Sequence, residues 1–259
     1  MAETRTDERL SSVANAIRLL KVFSDDESEI GISALAERLG LAKSTVHRLA
    51  TTLVETGMLE QNRESGKYRL GLMVFELGSL VRRKMDVSRE AKPWLMSLRE
   101  STGETVVLSI LGQGGVVCVN FLESQKAIRI TSGIGLRRPL HCTAEGKALL
   151  AFQPMATIER VIAHGLERRT PRTLAEPAAL LDELAAIRAQ GFATDDEEYE
   201  AGMRCVAAPI RDDSGTATAA VGIAGPAQRL GKKRLQTHAP AVVAAADAIS
   251  LRLGDRPVK

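Results

Sequence analysis

Apolar positions near the start of the chain recur three and four residues apart, which is the spacing of one buried helix face. The first such run predicts an amphipathic helix that is capped by Ser11 or Ser12. Its apolar residues are Val13, Ala16, Ile17, Leu20 and Phe23. A shorter run over residues 33–39 predicts a second helix with Ser33 as its N-cap. Gly40 follows directly, at a position where a positive φ favours glycine and ends a helix.

A third helix is predicted to open at Lys43, and its two faces differ in chemistry. The inward face carries Val46, Leu49, Ala50 and Leu53. The outward face carries hydrogen-bond donors and a basic group, namely Lys43, Ser44, His47, Arg48 and Thr51. A short helix, a glycine turn and a second helix with a polar outer face are typical of a helix-turn-helix. In that motif the second helix enters the major groove of DNA.

The helical spacing stops at Gly57, and two short β-type runs follow. Residues 58–61 and 67–70 predict two strands around a polar turn at 62–66. A hairpin in this position is typical of a wing, whose tip would bring Arg63 or Lys67 close to DNA phosphates. A hairpin that only closes the helical core is the alternative. Residues 72–89 are then helical again, with more apolar positions than one narrow face needs. This pattern indicates a linker helix that packs on the small domain and on another subunit, or else an ordinary core helix.

Beyond a further helix that ends at Thr102, the pattern changes to β-rich runs. Strands are predicted at 104–111, 116–122 and 127–131, with a hairpin at Gly112–Gly115 between the first two. Thr143 is predicted to cap the next helix. Later helices are expected at 155–164, 176–190 and 235–253, and later strands at 193–195, 205–211 and 218–224. The predicted fold is α+β, with an antiparallel sheet flanked by helices.

Composition narrows the function only slightly. The 259 residues carry a net charge of +3, which is too small to indicate nucleic-acid binding by itself. No apolar run approaches the ~18 residues that span a membrane. The polar N-terminus predicts a cytoplasmic protein without an ordinary secretory signal. Three widely spaced cysteines favour neither a disulfide framework nor a CxxC metal site, and no motif indicates a cofactor.

Three kinds of site are open in the second half of the chain. The first is a small-molecule pocket beside the helix that Thr143 caps, where backbone N–H groups would suit a carboxylate. The second is a cysteine nucleophile, although neighbours His141 and Cys142 point to opposite sides of an extended strand. The third is a metal site, for which no ligand spacing is recognisable. The acidic run 195–198 is typical of a solvated turn. The pocket is the interpretation that the residues favour.

Taken together, the ordered motifs resemble the IclR family of bacterial transcription regulators over nearly the whole chain. The motifs are residues 40–49, 66–71, 103–106 and 139–144 with 146–148, then 195–198 with Gly202, Cys205 and 208–210. The resemblance implies a winged helix-turn-helix at 10–71, a linker helix at 72–88 and a GAF-like effector domain at 89–255. It also implies a non-enzymatic protein that forms a homodimer or tetramer on operator double-stranded DNA.

The resemblance also implies site residues. Ser44, Thr45, His47 and Arg48 match the family's recognition-helix positions, with Arg48 expected on a base edge or phosphate. Together with the helix face and the wing, the predicted DNA-binding set is Ser33, Lys43, Ser44, Thr45, His47, Arg48, Thr51 and Lys67. The effector-binding set is Cys142, Thr143, Ala144, Asp195, Cys205, Gly222, Ile223 and Ala224. Asn15 stands where the family commonly has arginine, and Ala42 where proline is common. Gly222 and Ala224 replace serines that are frequent in members that bind small polar acids. The expected effector is therefore a larger or aromatic organic acid. The alternative function is a small-molecule enzyme or sensor whose helical domain makes only protein contacts.

Overall fold

The computed structural model describes residues 3–24, 27–84, 86–130 and 133–254, and the chain divides into two units between residues 84 and 85. The first unit contains, in chain order, α1 (Glu3–Leu20), α2 (Ile32–Leu39), α3 (Lys43–Glu55), β1 (Leu59–Gln61), β2 (Tyr68–Leu70) and α4 (Leu72–Lys84). None of the described helices is both long and apolar enough to cross a membrane.

The core of the first unit joins the three helices to the hairpin. Leu19, Leu35, Val46, Leu59 and Tyr68 are all buried in one cluster. Gly40 ends α2 with a φ of +64°, as the sequence predicted. The antiparallel β1–β2 pair aligns Leu59 with Leu70. The backbone of Ile30 exchanges two hydrogen bonds with Tyr68, both at 2.9 Å, so the segment before α2 extends the hairpin by one pair.

The predicted starts of α1 and α2 were wrong. Residues 3–12 contain neither glycine nor proline, and α1 begins at Glu3, well before the predicted caps. Gly31 occupies the N-cap position of α2 without a side-chain cap, and Ser33 lies exposed in the first turn. The pairing of Ile30 with Tyr68 holds the chain extended up to that point. Helical geometry therefore begins at Ile32, before a Ser33 cap could act.

The second unit contains a six-stranded sheet with helices on both faces. Its elements are α5 (Asp86–Thr102), β3 (Thr105–Gly112), β4 (Gly115–Leu122), β5 (Arg137–Arg138), α6 (Ala144–Leu150), α7 (Met155–His164), α8 (Pro177–Gln190), β6 (Ala193–Asp196), β7 (Met203–Arg211), β8 (Ala217–Pro226) and α9 (Lys232–Gly254). The strand order is β5-β4-β3-β8-β7-β6, and every pair is antiparallel. The predicted α+β fold class is confirmed.

Two hydrophobic clusters sandwich this sheet. Val206, Val221 and Ile223 pack on one face against residues of α5 and α9. Ala207, Ala220 and Ala224 pack on the other face with α6 and α8. This split follows from strand geometry, because successive side chains point to opposite faces. Ala207, Ala220 and Ala224 are all small, so α6 can approach this face of the sheet closely.

The third predicted strand was also wrong. Residues 127–130 form no strand, and Thr131 lies outside the described residues. The edge of β4 is instead paired by Arg137 and Arg138, opposite Val117 and Val116.

The predicted linker helix corresponds to α4, which ends at Lys84, while α5 begins at Asp86. The predicted domain bounds remain a prediction.

Candidate functional site

Helix α3 presents a polar face with two basic side chains. Val46 and Ala50 are fully buried, and Lys43, Ser44, His47, Arg48 and Thr51 are exposed, while Thr45 is partly buried. This is the two-faced helix that the sequence predicted. The Thr51 hydroxyl donates to the His47 carbonyl at 2.9 Å. Thr51 therefore has only its oxygen lone pairs left for an external partner.

Two basic side chains outside α3, Arg38 and Arg69, form ion pairs within the first unit. Arg38 pairs with Glu27 at 2.5 Å, and Arg69 pairs with Glu60 at 2.8 Å. Over the described ranges, the side chains of Lys43 and Arg48 have neither an ion pair nor a hydrogen bond within the protein. They can bind a phosphate or a base edge without first breaking an internal contact.

The tip of the β1–β2 hairpin is a hydrogen-bonded turn. The Asn62 side-chain oxygen accepts from the backbone N–H groups of Glu64 at 2.9 Å and Ser65 at 3.2 Å. Lys67 is exposed at this tip. The turn is therefore held in one shape while its lysine faces solvent, which suits a wing that contacts a phosphate backbone.

Sequence reasoning missed the role of Arg18. Its Nη2 donates to the Leu39 carbonyl at 2.8 Å, at the end of α2, and its Nη1 donates to the Asn15 side chain at 3.0 Å. Arg18 thus ties α1 to the turn before α3. The three-residue spacing of Asn15 and Arg18 was visible in the sequence, but the contact with Leu39 was not.

In the second unit, four strands bring part of the predicted effector set into one row. Asp195 of β6 pairs with Cys205 of β7, which pairs with Ala224 of β8, which pairs with Thr105 of β3. Gly222 lies in the parallel row two residues away, beside Ala207. The row lies on the α6 face, where Ala144 packs in the same cluster as Cys205 and Ala224. Ile223 pairs with Val206 in the neighbouring row and packs in the cluster on the opposite face, so its side chain points away from the predicted site.

Thr143 caps α6 as predicted. Its hydroxyl accepts from the Gly146 N–H at 3.1 Å and donates to the Pro139 carbonyl at 2.7 Å. The Thr143 side chain is therefore committed to shaping this segment. A ligand would therefore find backbone groups, and not a free hydroxyl, at Thr143.

Asp195 is buried with an unsatisfied oxygen. Its Oδ1 accepts from the Glu198 N–H at 2.7 Å and the Tyr199 N–H at 3.4 Å. Its Oδ2 is buried and has no hydrogen-bond partner among the described residues. Burial, reinforced by the nearby Glu198 carboxylate, raises the pKa of Asp195 to about 7. A neutral Asp195 offers an O–H donor as well as an acceptor at this point of the row.

The acidic run 195–198 was predicted to be a solvated turn. Its two end residues, Asp195 and Glu198, are instead buried. Glu198 Oε1 accepts from the buried Lys147 at 2.5 Å, and Lys147 also donates to Glu183 at 2.9 Å. Burial opposes the charge on Lys147, but the two carboxylates outweigh it and raise its pKa. Glu197, which directly precedes Glu198 in the run, has a φ of +64°. This left-handed conformation costs a non-glycine residue about 1–2 kcal/mol.

The geometry does not support a cysteine nucleophile. Burial, with the charge of Asp195 nearby, raises the pKa of Cys142 to about 12 and that of Cys205 well above its usual range. Both thiols are therefore protonated at neutral pH, whereas the thiolate is the reactive form. His141 Nε2 is 3.0 Å from the Glu167 carbonyl oxygen, and this contact engages one ring nitrogen. Within the described ranges, no group of three or more His, Cys, Asp or Glu side chains is placed to hold a metal ion.

Both units match models of one protein family. The IclR helix-turn-helix domain matches residues 12–63. The C-terminal domain of the bacterial transcriptional regulator IclR matches residues 80–251. The chain belongs to the IclR family. The expected resemblance is thereby confirmed for both halves of the chain.

Individual IclR-family relatives cover nearly the full length. The HTH-type transcriptional regulator KdgR of Escherichia coli (strain K12) is 35% identical over 258 residues, which is 98% of either chain. The HTH-type transcriptional regulator BhcR of Paracoccus denitrificans is 38% identical over 88% of this chain and 82% of that protein. An IclR homolog from Microbacterium hydrocarbonoxydans, solved in complex with 4-hydroxybenzoate, has a TM-score of 0.80 and 28% identity over 93% of this chain and 98% of that chain.

These IclR-family relatives are named as transcription regulators, which confirms the expectation that this chain is a regulator and not an enzyme. Proteins with this helix-turn-helix bind DNA, and effector domains of the IclR type bind small ligands.

Proposed function

We propose that this protein is a ligand-responsive regulator that binds operator DNA and controls a metabolic, specifically catabolic, operon. The observation that carries the proposal is the exposed face of α3, where Lys43 and Arg48 have no internal partner over the described residues. Ser44, Thr45, His47 and Thr51 share that helix. Ser33 of α2 and Lys67 of the β1–β2 hairpin complete the proposed DNA-binding set. Since its target is bacterial operator DNA, the proposed function implies a cytoplasmic protein.

The proposed effector is a small organic acid with a larger or aromatic body. The row of Asp195, Cys205 and Ala224, with Gly222 beside it, carries a single polar carboxyl group among small apolar surfaces. A protonated Asp195 would donate to an effector oxygen, and the backbone of Cys142, Thr143, Ala144 and Ile223 would complete the site. The likeness to a homolog that was solved with 4-hydroxybenzoate supports an aromatic acid.

We further propose a homodimer or a tetramer, formed in part by α4. This helix exposes Leu72, Phe75, Leu77, Leu80 and Val81, each more than two-fifths accessible. Exposed apolar surface of this extent on one helix is typical of a protein–protein interface. An effector that binds one arrangement of the subunits more tightly would shift the population between DNA-binding and non-binding states.

The DNA-binding part of the proposal is tested by selecting duplexes from a random pool with the full-length protein at low salt. The enriched sequence then serves as the probe for affinity measurements. Arg48→Ala should weaken binding by about 1–3 kcal/mol if Arg48 contacts a base. Arg168→Ala removes an equally charged, exposed side chain from the second unit and should leave the affinity unchanged. Failure to enrich any sequence would reject DNA binding and favour a sensor whose helical unit binds proteins.

The effector part is tested by calorimetric titration of the full-length protein with 4-hydroxybenzoate, pyruvate and glyoxylate. We expect the aromatic acid to bind more tightly than the two small oxoacids, because Gly222 and Ala224 provide no hydroxyl groups for them. Tight binding of pyruvate or glyoxylate without binding of the aromatic acid would contradict the proposed effector class.

A further inference from the structure

A separate cavity of about 400 Å³ lies at the hairpin end of the six-stranded sheet. Three segments form its walls: the β3–β4 hairpin, the segment that leads into α6, and one face of α7. A volume of this size lies within the range of small-molecule sites in proteins, about 300–1,000 Å³. The cavity is large enough for a ligand of one or two fused rings.

The α7 wall supplies positive charge. Thr157, Arg160, Val161 and His164 line the cavity, and their spacing of three, four and seven residues places them on one helix face. Arg160 Nη2 donates to the Thr157 hydroxyl at 3.0 Å, which holds the guanidinium along that face. Among the described residues that line the cavity there is no Asp or Glu. An anion would therefore meet attraction at the rim without a competing carboxylate.

The inner walls are apolar around one buried polar group. Leu111 and Leu140 face the same cavity as Val161. His141 is buried, and its Nε2 lies 3.0 Å from the Glu167 carbonyl oxygen. Because a carbonyl oxygen only accepts, this contact places a proton on Nε2 and leaves Nδ1 without a role in it. The lining thus combines an apolar interior, an imidazole and a cationic rim.

We propose that this cavity is a second small-molecule site, which takes an organic monoanion with a flat apolar body. The carboxylate lies at Arg160 and the body packs between Leu111, Leu140 and Val161. The site is separate from the predicted effector row. Leu111 is six residues along β3 from Thr105, the partner of Ala224 in that row, which corresponds to about 20 Å of strand.

The two sites share one stretch of backbone. Pro139, Leu140 and His141 form a wall of the cavity, and the next three residues belong to the predicted effector set. The Thr143 hydroxyl donates a hydrogen bond to the Pro139 carbonyl and accepts one from the Gly146 N–H. A ligand that shifts the 139–141 wall therefore also shifts the cap of α6. The ligand of the cavity and the effector should change each other's affinity by the same factor, as linkage requires.

Equilibrium dialysis of the full-length protein against 2-naphthoate tests the site. Val161→Trp fills the cavity, and we expect the number of naphthoate molecules bound per chain to fall by one. Ala163→Trp places the same side chain on an exposed position of α7 that does not line the cavity, and should leave the number unchanged. An identical number bound by wild type and Val161→Trp, including no binding to either, would overturn the proposal.

A second comparison tests the charge and does not depend on how Val161→Trp folds. The wild-type protein should bind 2-naphthoate roughly threefold or more tighter than the neutral 2-naphthamide, as expected for an exposed arginine. Arg160→Gln should abolish this preference, whereas Arg168→Gln should preserve it. Equal affinities of the acid and the amide for the wild-type protein would reject an anion site. Neither measurement involves DNA, so its outcome is independent of the operator-binding experiment.

Discussion

At the scale of single residues, Asp195 shows how the fold changes the chemistry of a side chain. An aspartate in an acidic run is ordinarily ionised and solvated. Here the row of β6, β7 and β8 buries it opposite Cys205, with Oδ2 unpartnered among the described residues. Because an unpaired buried charge is costly, the carboxyl group keeps its proton to about pH 7. The sequence predicted Asp195 as a ligand contact, but it did not predict this neutral state.

The raised pKa makes Asp195 a measurable pH-dependent contribution to stability. The folded chain holds this proton up to about pH 7, whereas the unfolded chain releases it near the usual value of 3.8. The contribution is thus complete below the unfolded pKa and is lost as the pH rises through about 7. From pH 5 to pH 8, wild type should lose roughly 2 to 3 kcal/mol of unfolding free energy relative to Asp195→Asn, as measured by urea denaturation.

Asp196→Asn is the matched control for this experiment. Although burial acts to raise the pKa of Asp196, its contacts with Lys232 and Arg204 lower it, so this residue is already ionised at pH 5. Its variant should run parallel to wild type between pH 5 and pH 8. If the Asp195→Asn curve is parallel to wild type as well, the neutral state of Asp195 is ruled out.

At the scale of elements, the predictions that depend on neighbouring residues were confirmed, and one that depends on strand pairing was wrong. The hairpin, the cap of α6 and the glycine end of α2 formed where the sequence placed them, because each depends on residues a few positions apart. Residues 127–130 alternate like a strand, yet β4 pairs with Arg137 and Arg138 instead. A strand needs a free neighbouring edge, and its own alternation does not reveal which segment takes that edge.

Gly71, between β2 and α4, is a position where an element boundary depends on the absence of a side chain. A Cβ there would lie 2.1 Å from the Gly57 carbonyl oxygen. We expect Gly71→Ala to destabilise the first unit by about 1–3 kcal/mol, since the backbone must move. Gly78→Ala changes the same residue type inside α4, where nothing lies within 4 Å, and should add about 0.5–1 kcal/mol of stability. Urea unfolding followed by circular dichroism compares the two variants, and equal effects would contradict the packing argument.

At the scale of the whole molecule, the exposed apolar surface of α4 is the feature that a single chain does not explain. The two units each bury their own core, while Phe75 on α4 remains two-thirds accessible. Removing such a face from water is favourable in proportion to its area. The proposed dimer or tetramer would bury it between copies of this chain.

Light scattering coupled to size exclusion tests this assembly. The wild-type protein should elute with two or four times the chain mass of 27.9 kDa, and Phe75→Asp should shift it to a smaller species, because a charge would be buried in the interface. Ile128→Asp places the same charge on an equally exposed apolar residue of the second unit and should leave the mass unchanged. A monomeric wild type, or an unchanged mass for Phe75→Asp, would exclude α4 as the interface.

Periodicity, turn residues and ordered motifs were enough to predict the helix-turn-helix, the hairpin after it, the antiparallel sheet and the family. They did not predict that Ile223 points away from the predicted effector row or that Lys147 is buried between Glu183 and Glu198. Those outcomes depend on which distant strands pair and what covers each face. The same cause placed Asp195 in a row with Cys205 and Ala224, since β6, β7 and β8 become neighbours only on folding.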